Sequence, residues 1–341
     1  MTTKYLDYNS PFLLVDSSYL IFYRFFALRL WYKKAHKDEV IDEHKWMENP
    51  QFMEKYDKLF FEGIKKICKK RKIPLNNIIF SFDARCYNVW RSKLTNNYKS
   101  TRKESHTKSK FFCYQIFKHA EEKLIKPYNN GRNITMFHEN AEADDINAIL
   151  SRILSTKTSQ NIYIIASDAD YIQLCNKKNN LDEPQIQIID IKNNNIWTKY
   201  IKPNFNSNQF LISKILLGDN SDNIPSCNFK TSILIDNNIL ITKLTNLNVW
   251  TKCTKSLVTK ILEDTNSEIY KLLECVIQKN RKFVKDRNDI CAIELENGDK
   301  QITDLELDNI TEDGYFTKNQ IIIDFECIPT NLKNQIIKLF D

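Results

Sequence analysis

The chain has 341 residues, 42% hydrophobic and 27% charged, enough for one large domain or two ordinary ones with sizeable cores, which excludes disorder as the default state. No apolar run approaches the ~20 residues needed to cross a bilayer, and the N-terminus lacks the basic-then-apolar order of a signal peptide. A soluble intracellular protein without a membrane partner is expected, and its net charge of +7 is a weak pointer to an anionic one.

From the N-terminus, the first element is the apolar run Phe12-Leu13-Leu14-Val15, which stops at Asp16. Short continuous runs of this kind read as buried parallel strands with helices between them. The second is Ile78 to Phe82, followed by Asp83, after which the chain changes character. Residues 84–110 hold eight Lys and Arg against Glu104 alone, so this stretch accounts for the whole net charge. No proline falls between Pro74 and Pro127 and no glycine between Gly63 and Gly131, so a basic helical arch over about 84–125 is expected to rise from the second strand. Tyr87, Trp90 and Tyr98 lie among its cations, a mixture that grips single-stranded nucleic acid by stacking and phosphate contacts. A solvated basic face, with the aromatics in the core, is the alternative.

Further on, Glu142-Ala143-Asp144-Asp145 opens a helical pattern, Ile146 to Leu154. The third apolar run, Ile162 to Ala166, reaches Asp168 with Asp170 two residues later. Ser207 suits the N-cap of a helix over 208–217, which runs into Gly218-Asp219-Asn220-Ser221-Asp222-Asn223-Ile224-Pro225, and a second helix is expected near Asn228. Beyond it come helical patterns near 253–283, a strand-like Ile321-Ile322-Ile323 and a last helix. The expected fold is α/β, a doubly wound, mostly parallel sheet over 1–200 that includes the arch, with a C-terminal helical region over 201–341.

Nine cysteines are scattered without a CxxC pair, and five histidines without any paired arrangement. A metal here would have oxygen ligands, which suits hard cations such as Mg²⁺ or Mn²⁺. Each aspartate alone reads as a helix cap or a solvated carboxylate. Together they fall beyond the carboxyl ends of strands, where doubly wound sheets bind ligands, and crowded like charges there call for a cation. Mg²⁺ is usually held by one or two carboxylates plus substrate phosphates, so seven or more imply two ions. Two ions ~4 Å apart can activate a water and stabilise the leaving oxygen of a phosphodiester.

Asp16-Ser17-Ser18-Tyr19, Phe82-Asp83 with downstream Trp90-Arg91 and Tyr98-Lys99-x-x-Arg102, Glu142-Ala143-Asp144-Asp145, Ser167-Asp168-Ala169-Asp170-Tyr171-Ile172-Gln173-Leu174 and Leu217-Gly218-Asp219-Asn220-Ser221-Asp222-Asn223-Ile224-Pro225 resemble, in order, the motifs of the flap endonuclease/5′-3′ exonuclease family. The match covers roughly residues 10–236. The resemblance implies a PIN-like fold with a basic arch and a helix-loop-helix DNA-binding region. It implies that Asp16, Asp83, Glu142, Asp144 and Asp145 hold one catalytic ion and its shell, and Asp168, Asp170, Asp219 and Asp222 the other. Lys99 and Arg102 look like the arch cations that polarise the scissile phosphate. Phe22 or Tyr23 looks like the aromatic on which a terminal base stacks, and Arg24, Arg91, Tyr98 and Lys230 join them as nucleic-acid contacts. The departures are Arg24, eight residues after Asp16 where bacterial members have Arg at seven, and Ser226-Cys227-Asn228-Phe229-Lys230-Thr231, which lacks the family's glycines for phosphate and K⁺.

The activity implied is metal-dependent, structure-specific 5′ cleavage of DNA, at 5′ flaps, 5′ ends or RNA primers on DNA, by a monomer in replication or repair. A related nuclease acting on junctions or RNA is one alternative. A catalytically dead nucleic-acid-binding scaffold is the other, and such a scaffold has no use for a complete acidic set.

Overall fold

The computed structural model describes residues 5–37, 45–84, 88–95, 97–101, 114–131, 134–176, 183–230, 250–267, 270–271, 273–282 and 315–341. Arg102, Tyr87 and the 102–113 part of the expected arch lie outside them. The chain divides into two compact units, Met1–Cys86 with Arg102–Trp197 and Ile336–Asp341, and Tyr87–Thr101 with Thr198–Gln335.

The first unit is built on a five-stranded parallel sheet of β1 (Phe12–Asp16), β2 (Ile78–Phe82), β3 (Ile134–Phe137), β4 (Ile162–Ile165) and β5 (Ile186–Ile189), in the order β3-β2-β1-β4-β5. The three runs that lead to aspartate are therefore its three central strands. Because β1 has β2 on one side and β4 on the other, the order in which strands are added reverses between β1 and β4, and that switch point opens a crevice beyond their carboxyl ends. Asp16 pairs with Ser81 across one side, while Val15 pairs with Ile165 across the other.

Side chains alternate along each strand, so each face takes a different cover. Val15, Phe80 and Ile165 join a buried aromatic cluster with Phe25 of α1 (Ser17–Ala35), Phe52 and Tyr56 of α2 (Pro50–Leu59) and Ile64 of α3 (Glu62–Arg71). The opposite face, which carries Ser81, meets α4 (Ala143–Lys157), where the Ser81 hydroxyl donates to Asn147 Oδ1 at 2.7 Å. β3 and β5 are absent from the sequence reading because neither is a continuous apolar run. β3 alternates buried Ile134 and Met136 with exposed Thr135 and Phe137, and β5 places Gln187 at a buried position that breaks its apolar run.

In the second unit α5 (Ser207–Leu217) is capped by Asn206 rather than Ser207, because the Asn206 side chain accepts from the amides of Asn208 and Gln209 while Gln209 Oε1 accepts from Asn206 N. The expected second helix near Asn228 is instead a short strand, β6 (Asn228–Lys230), paired antiparallel with β7 (Trp250–Lys252). In that ladder Phe229 stands opposite Thr251. The helical patterns near 253–283 are separate segments: α6 (Lys255–Glu263) ends at Asp264, whose side chain accepts from Asn266 N in a turn, and residues 273–282 are helical again.

Ile321-Ile322-Ile323 is not a strand but the end of α7 (Phe316–Ile323), and it precedes the last helix, α8 (Thr330–Phe340). All three isoleucines are buried, as are Phe316, Thr317, Asn319 and Gln320, so α7 is buried on nearly every side, and it packs against α5. Burial of a whole helix surface overrides the strand preference of β-branched residues. Among the described residues no helix is long and apolar enough to cross a membrane.

Candidate metal centre

Seven of the expected carboxylates lie in the first unit, at the end of a strand or the start of a helix. Asp16 ends β1 and caps α1, accepting from Tyr19 N at 3.0 Å. Asp83 follows β2; one carboxylate oxygen accepts from Ala143 N at 2.7 Å and the other from the Ser18 hydroxyl. These two bonds tie the N-terminal ends of α1 and α4 to one side chain. Asp168 lies three residues beyond β4 and accepts from Asp170 N at 2.9 Å, opening the 3₁₀ turn Ala169–Leu174. The capping reading of these aspartates therefore holds alongside the metal reading, since a capped carboxylate keeps lone pairs for a cation.

At the start of α4, one oxygen from each of Glu142, Asp144 and Asp145 lies within 4.8 Å of the others. Glu142 and Asp145 are buried, Glu142 N donates to Asp145 Oδ2 at 3.1 Å, and Asp145 N donates to Asp144 Oδ1 at 2.7 Å. The helix N-terminus offsets part of this negative charge, but three carboxylates within that distance repel one another unless a cation or protons intervene. This all-oxygen set fits a hard divalent cation.

Tyr171, which follows Asp170 in the sequence motif but has no role assigned to it there, ties the carboxylates to the sheet. Its hydroxyl accepts from Asn147 Nδ2 at 3.0 Å and donates to Asp16 Oδ2 at 3.5 Å, the edge of hydrogen-bond range. Complete burial pushes this phenol well above its usual value, and the charges of Asp16, Asp144 and Asp168 push it the same way. One hydroxyl thus feels carboxylates from β1, α4 and the segment after β4. The hydrogen-bonded chain Ser81, Asn147, Tyr171, Asp16, buried as far as Tyr171, crosses from β2 through α4 to β1. Its sequence signal was two polar residues, Ser81 and Asn147, in otherwise apolar core positions.

Asp219 and Asp222 belong to the second unit. Asp219 is paired with Lys214 Nζ at 2.5 Å and accepts from Ser221 N and Oγ. Burial alone would raise its carboxyl, but the bonds from Lys214 and Ser221 outweigh this and hold it below the usual range. Asp222 is buried, with Lys99 Nζ 3.7 Å from its Oδ2 and Lys99 N donating to its carbonyl at 3.0 Å. Lys99 adopts a left-handed backbone, φ 51°, and its ammonium stands 4.9 Å from the centre of the Tyr98 ring.

The expected nucleic-acid contacts divide. Arg91 is 2% exposed, donates from Nε to Ile322 O at 2.7 Å and lies over the Trp90 ring, so it braces α7 and does not present its guanidinium to a phosphate. Tyr98, 3% exposed, is likewise a core residue rather than a stacking surface. Phe22 is partly exposed and stacks on Phe26 with ring centres 6.0 Å apart, while Tyr23 packs on the aromatic cluster. Arg24 is half-buried, and burial lowers its guanidinium despite the nearby Tyr23, Tyr56 and Glu62. Lys230 ends β6.

A family model for the N-terminal resolvase-like domain of 5′-3′ exonucleases matches residues 11–205. Among solved structures, the chain is similar to a bacteriophage T5 flap endonuclease variant, a pseudo-enzyme–product complex with DNA and metal ions, at 13% identity over 97% of this chain and 99% of that one, TM-score 0.54. It is also similar to T5 5′-exonuclease with bound zinc, at 13% identity over 97% and 100% of the two chains, TM-score 0.52. At such identity the likeness is one of fold. Sequence comparison with curated proteins yields no significant match.

Proposed function

Since the chain belongs to the 5′-3′ exonuclease family and is a nuclease, we propose that it is a structure-specific 5′ nuclease working with two divalent ions, Mg²⁺ or Mn²⁺. Its substrates are DNA with 5′ flaps or 5′ ends and RNA primers paired with DNA, in replication or repair, and it works as a monomer. The observation that carries this reading is the convergence of Glu142, Asp144 and Asp145 within 4.8 Å, beside Asp83 bonded to Ala143 N and Asp16 bonded to Tyr171.

Asp16, Asp83, Glu142, Asp144, Asp145, Asp168 and Asp170 are assigned as the residues that hold the ions. Bound there, divalent ions supply the charge that lowers the pKa of water and stabilises the leaving oxygen of a phosphodiester. The chain's own part is to fix the carboxylates before substrate arrives. Ser18 and Ala143 N orient Asp83, and Tyr19 N orients Asp16. Lys99 and Arg102 are assigned to phosphate, where an ammonium or guanidinium lowers the charge against which the nucleophile must move.

Product mapping on end-labelled flap, nicked and blunt duplexes tests the reading. With Mg²⁺, cleavage should fall near the 5′ branch or 5′ end and should vanish in EDTA. Asp83→Asn and Asp168→Asn should each abolish cleavage while flap binding survives. Full activity in EDTA, or in both variants, sinks the metal assignment.

A further inference from the structure

Helix α1 carries a face that the nuclease core leaves uncovered. It begins at the carboxylates, with Asp16 capping it and Ser18 bonded to Asp83, and it runs away from them for nineteen residues. Phe25, Leu28 and Tyr32 turn into the core. On the other side Phe26 is 50%, Leu30 59% and Trp31 43% exposed, and Ala27 between them is exposed too. An outward helix face is normally polar. Here four neighbouring positions are apolar, two of them aromatic.

Charge decides what such a face fits. α1 contains Arg24, Arg29, Lys33 and Lys34 and no acidic residue. The Arg29 guanidinium lies 5.9 Å from the centre of the Phe26 ring, and Lys55 Nζ of α2 lies 3.1 Å from that of Trp31. Aromatic rings interleaved with cations suit a chain of π-faced, negatively charged units. A neutral or basic protein surface would meet the apolar residues but waste or oppose the cations.

We propose that the outer face of α1, centred on Phe26, Leu30 and Trp31, is a track for single-stranded nucleic acid, which carries the unpaired 5′ segment away from the carboxylates. The proposal rests on the nuclease reading above and extends it to the part of the cleaved strand that lies 5′ of the scissile phosphate. At 1.5 Å per residue, Phe26 lies about 15 Å and Trp31 about 22 Å along the helix from Asp16. A stacked strand covers that distance with about four to seven nucleotides at ~3.4 Å each. A flap of a single nucleotide therefore ends short of the track, and a long one reaches it.

The test titrates the full-length protein with a fluorescent oligothymidylate of about twelve nucleotides, long enough to span the face at ~3.4 Å per nucleotide. The double variant Phe26→Ala/Trp31→Ala should bind it about ten-fold more weakly, as loss of base–aromatic stacking does elsewhere. Lys34→Ala should flatten the salt dependence by about one unit. In unlabelled titrations, quenching of tryptophan fluorescence should shrink in Trp31→Phe, which keeps a ring at that position. The preference of wild-type protein for long over single-nucleotide flaps should diminish in the double variant. Equal oligonucleotide affinity in wild type and double variant overturns the proposal. So does concentration-dependent self-association that the double variant abolishes, because the face would then belong to a second copy of the chain. Wild-type cleavage of flap substrates with Mg²⁺ is scored separately. If cleavage is present while the track variants bind normally, only this inference fails; if it is absent, the nuclease reading fails.

Discussion

Tyr171 occupies a position where packing and chemistry meet, because its ring fills the core while its hydroxyl lies between the Asn147 amide and the Asp16 carboxylate. Tyr171→Phe keeps the ring and removes only that oxygen. Groups that orient metal ligands are typically worth 10–100-fold in metal affinity or activity, so Mn²⁺ affinity read by calorimetry should drop about ten-fold. Unchanged affinity together with lowered stability would leave the hydroxyl a structural donor to Asn147. Lys99 poses a different question, since its ammonium lies 3.7 Å from Asp222. If it also serves a phosphate, Lys99→Ala should lower the single-turnover rate by about 10²–10³-fold with little change in affinity, as expected for a contact made mainly in the transition state. Weakened binding with an unchanged rate would make it a tether.

The loop that joins α5 to β6 depends on one glycine and one distant amide. Gly218 has φ +69°, and a Cβ there would lie 2.4 Å from the carbonyl oxygens of Ile224 and Pro225. Those carbonyls sit close because Asp219 and Ile224 exchange backbone hydrogen bonds across the turn. Gly218→Ala should therefore cost about 2 kcal/mol or more, through strain at positive φ and the clash together; urea unfolding measures it, and a loss below that range would mean the turn can open. Asn319 of α7 holds the same loop from the other side, donating from Nδ2 to Ile215 O at 3.0 Å and to Pro225 O at 2.7 Å. The segment after Pro225, Ser226 to Thr231, lacks the glycines of the resembling family, and the Pro225 carbonyl accepts from Asn319. Duplex affinity should consequently be the same in KCl and NaCl at equal ionic strength and should fall with salt through counterion release. A clear preference for K⁺ would show that the loop builds an ion site without those glycines.

Across the whole molecule, burial gives alkaline pH a clear direction. Burial raises the thiols of Cys68 and Cys253 from 9.0 to about 12, and the phenols of Tyr128 and Tyr270 from 10.0 to about 12. A group whose folded pKa is raised stabilises fully below its unfolded value and loses that contribution as pH climbs through the folded one. The melting temperature should therefore hold up to about pH 9 and fall progressively toward pH 12; a flat profile over that window would contradict the burial. Among the described cysteines, exposed Cys275 should react with iodoacetamide well before the buried Cys68, Cys175, Cys227, Cys253 and Cys327. Much of this molecule is written locally. The runs at 12–15, 78–82 and 162–165 announce buried strands because only a position covered on both faces tolerates continuous apolar residues, and the carboxylates behind them fall beyond the strand ends, where a reversal of strand order leaves room for a ligand. The fate of the remaining residues was settled by neighbours far along the chain. Ile321 to Ile323 form a helix because α5 covers them, Arg91 leaves the surface because the Ile322 carbonyl needs a donor, and Ser81 reaches Tyr171 only through Asn147. Periodicity records which side of an element is apolar, but which partner buries that side, and which polar group is drawn in with it, depends on contacts that no local pattern encodes.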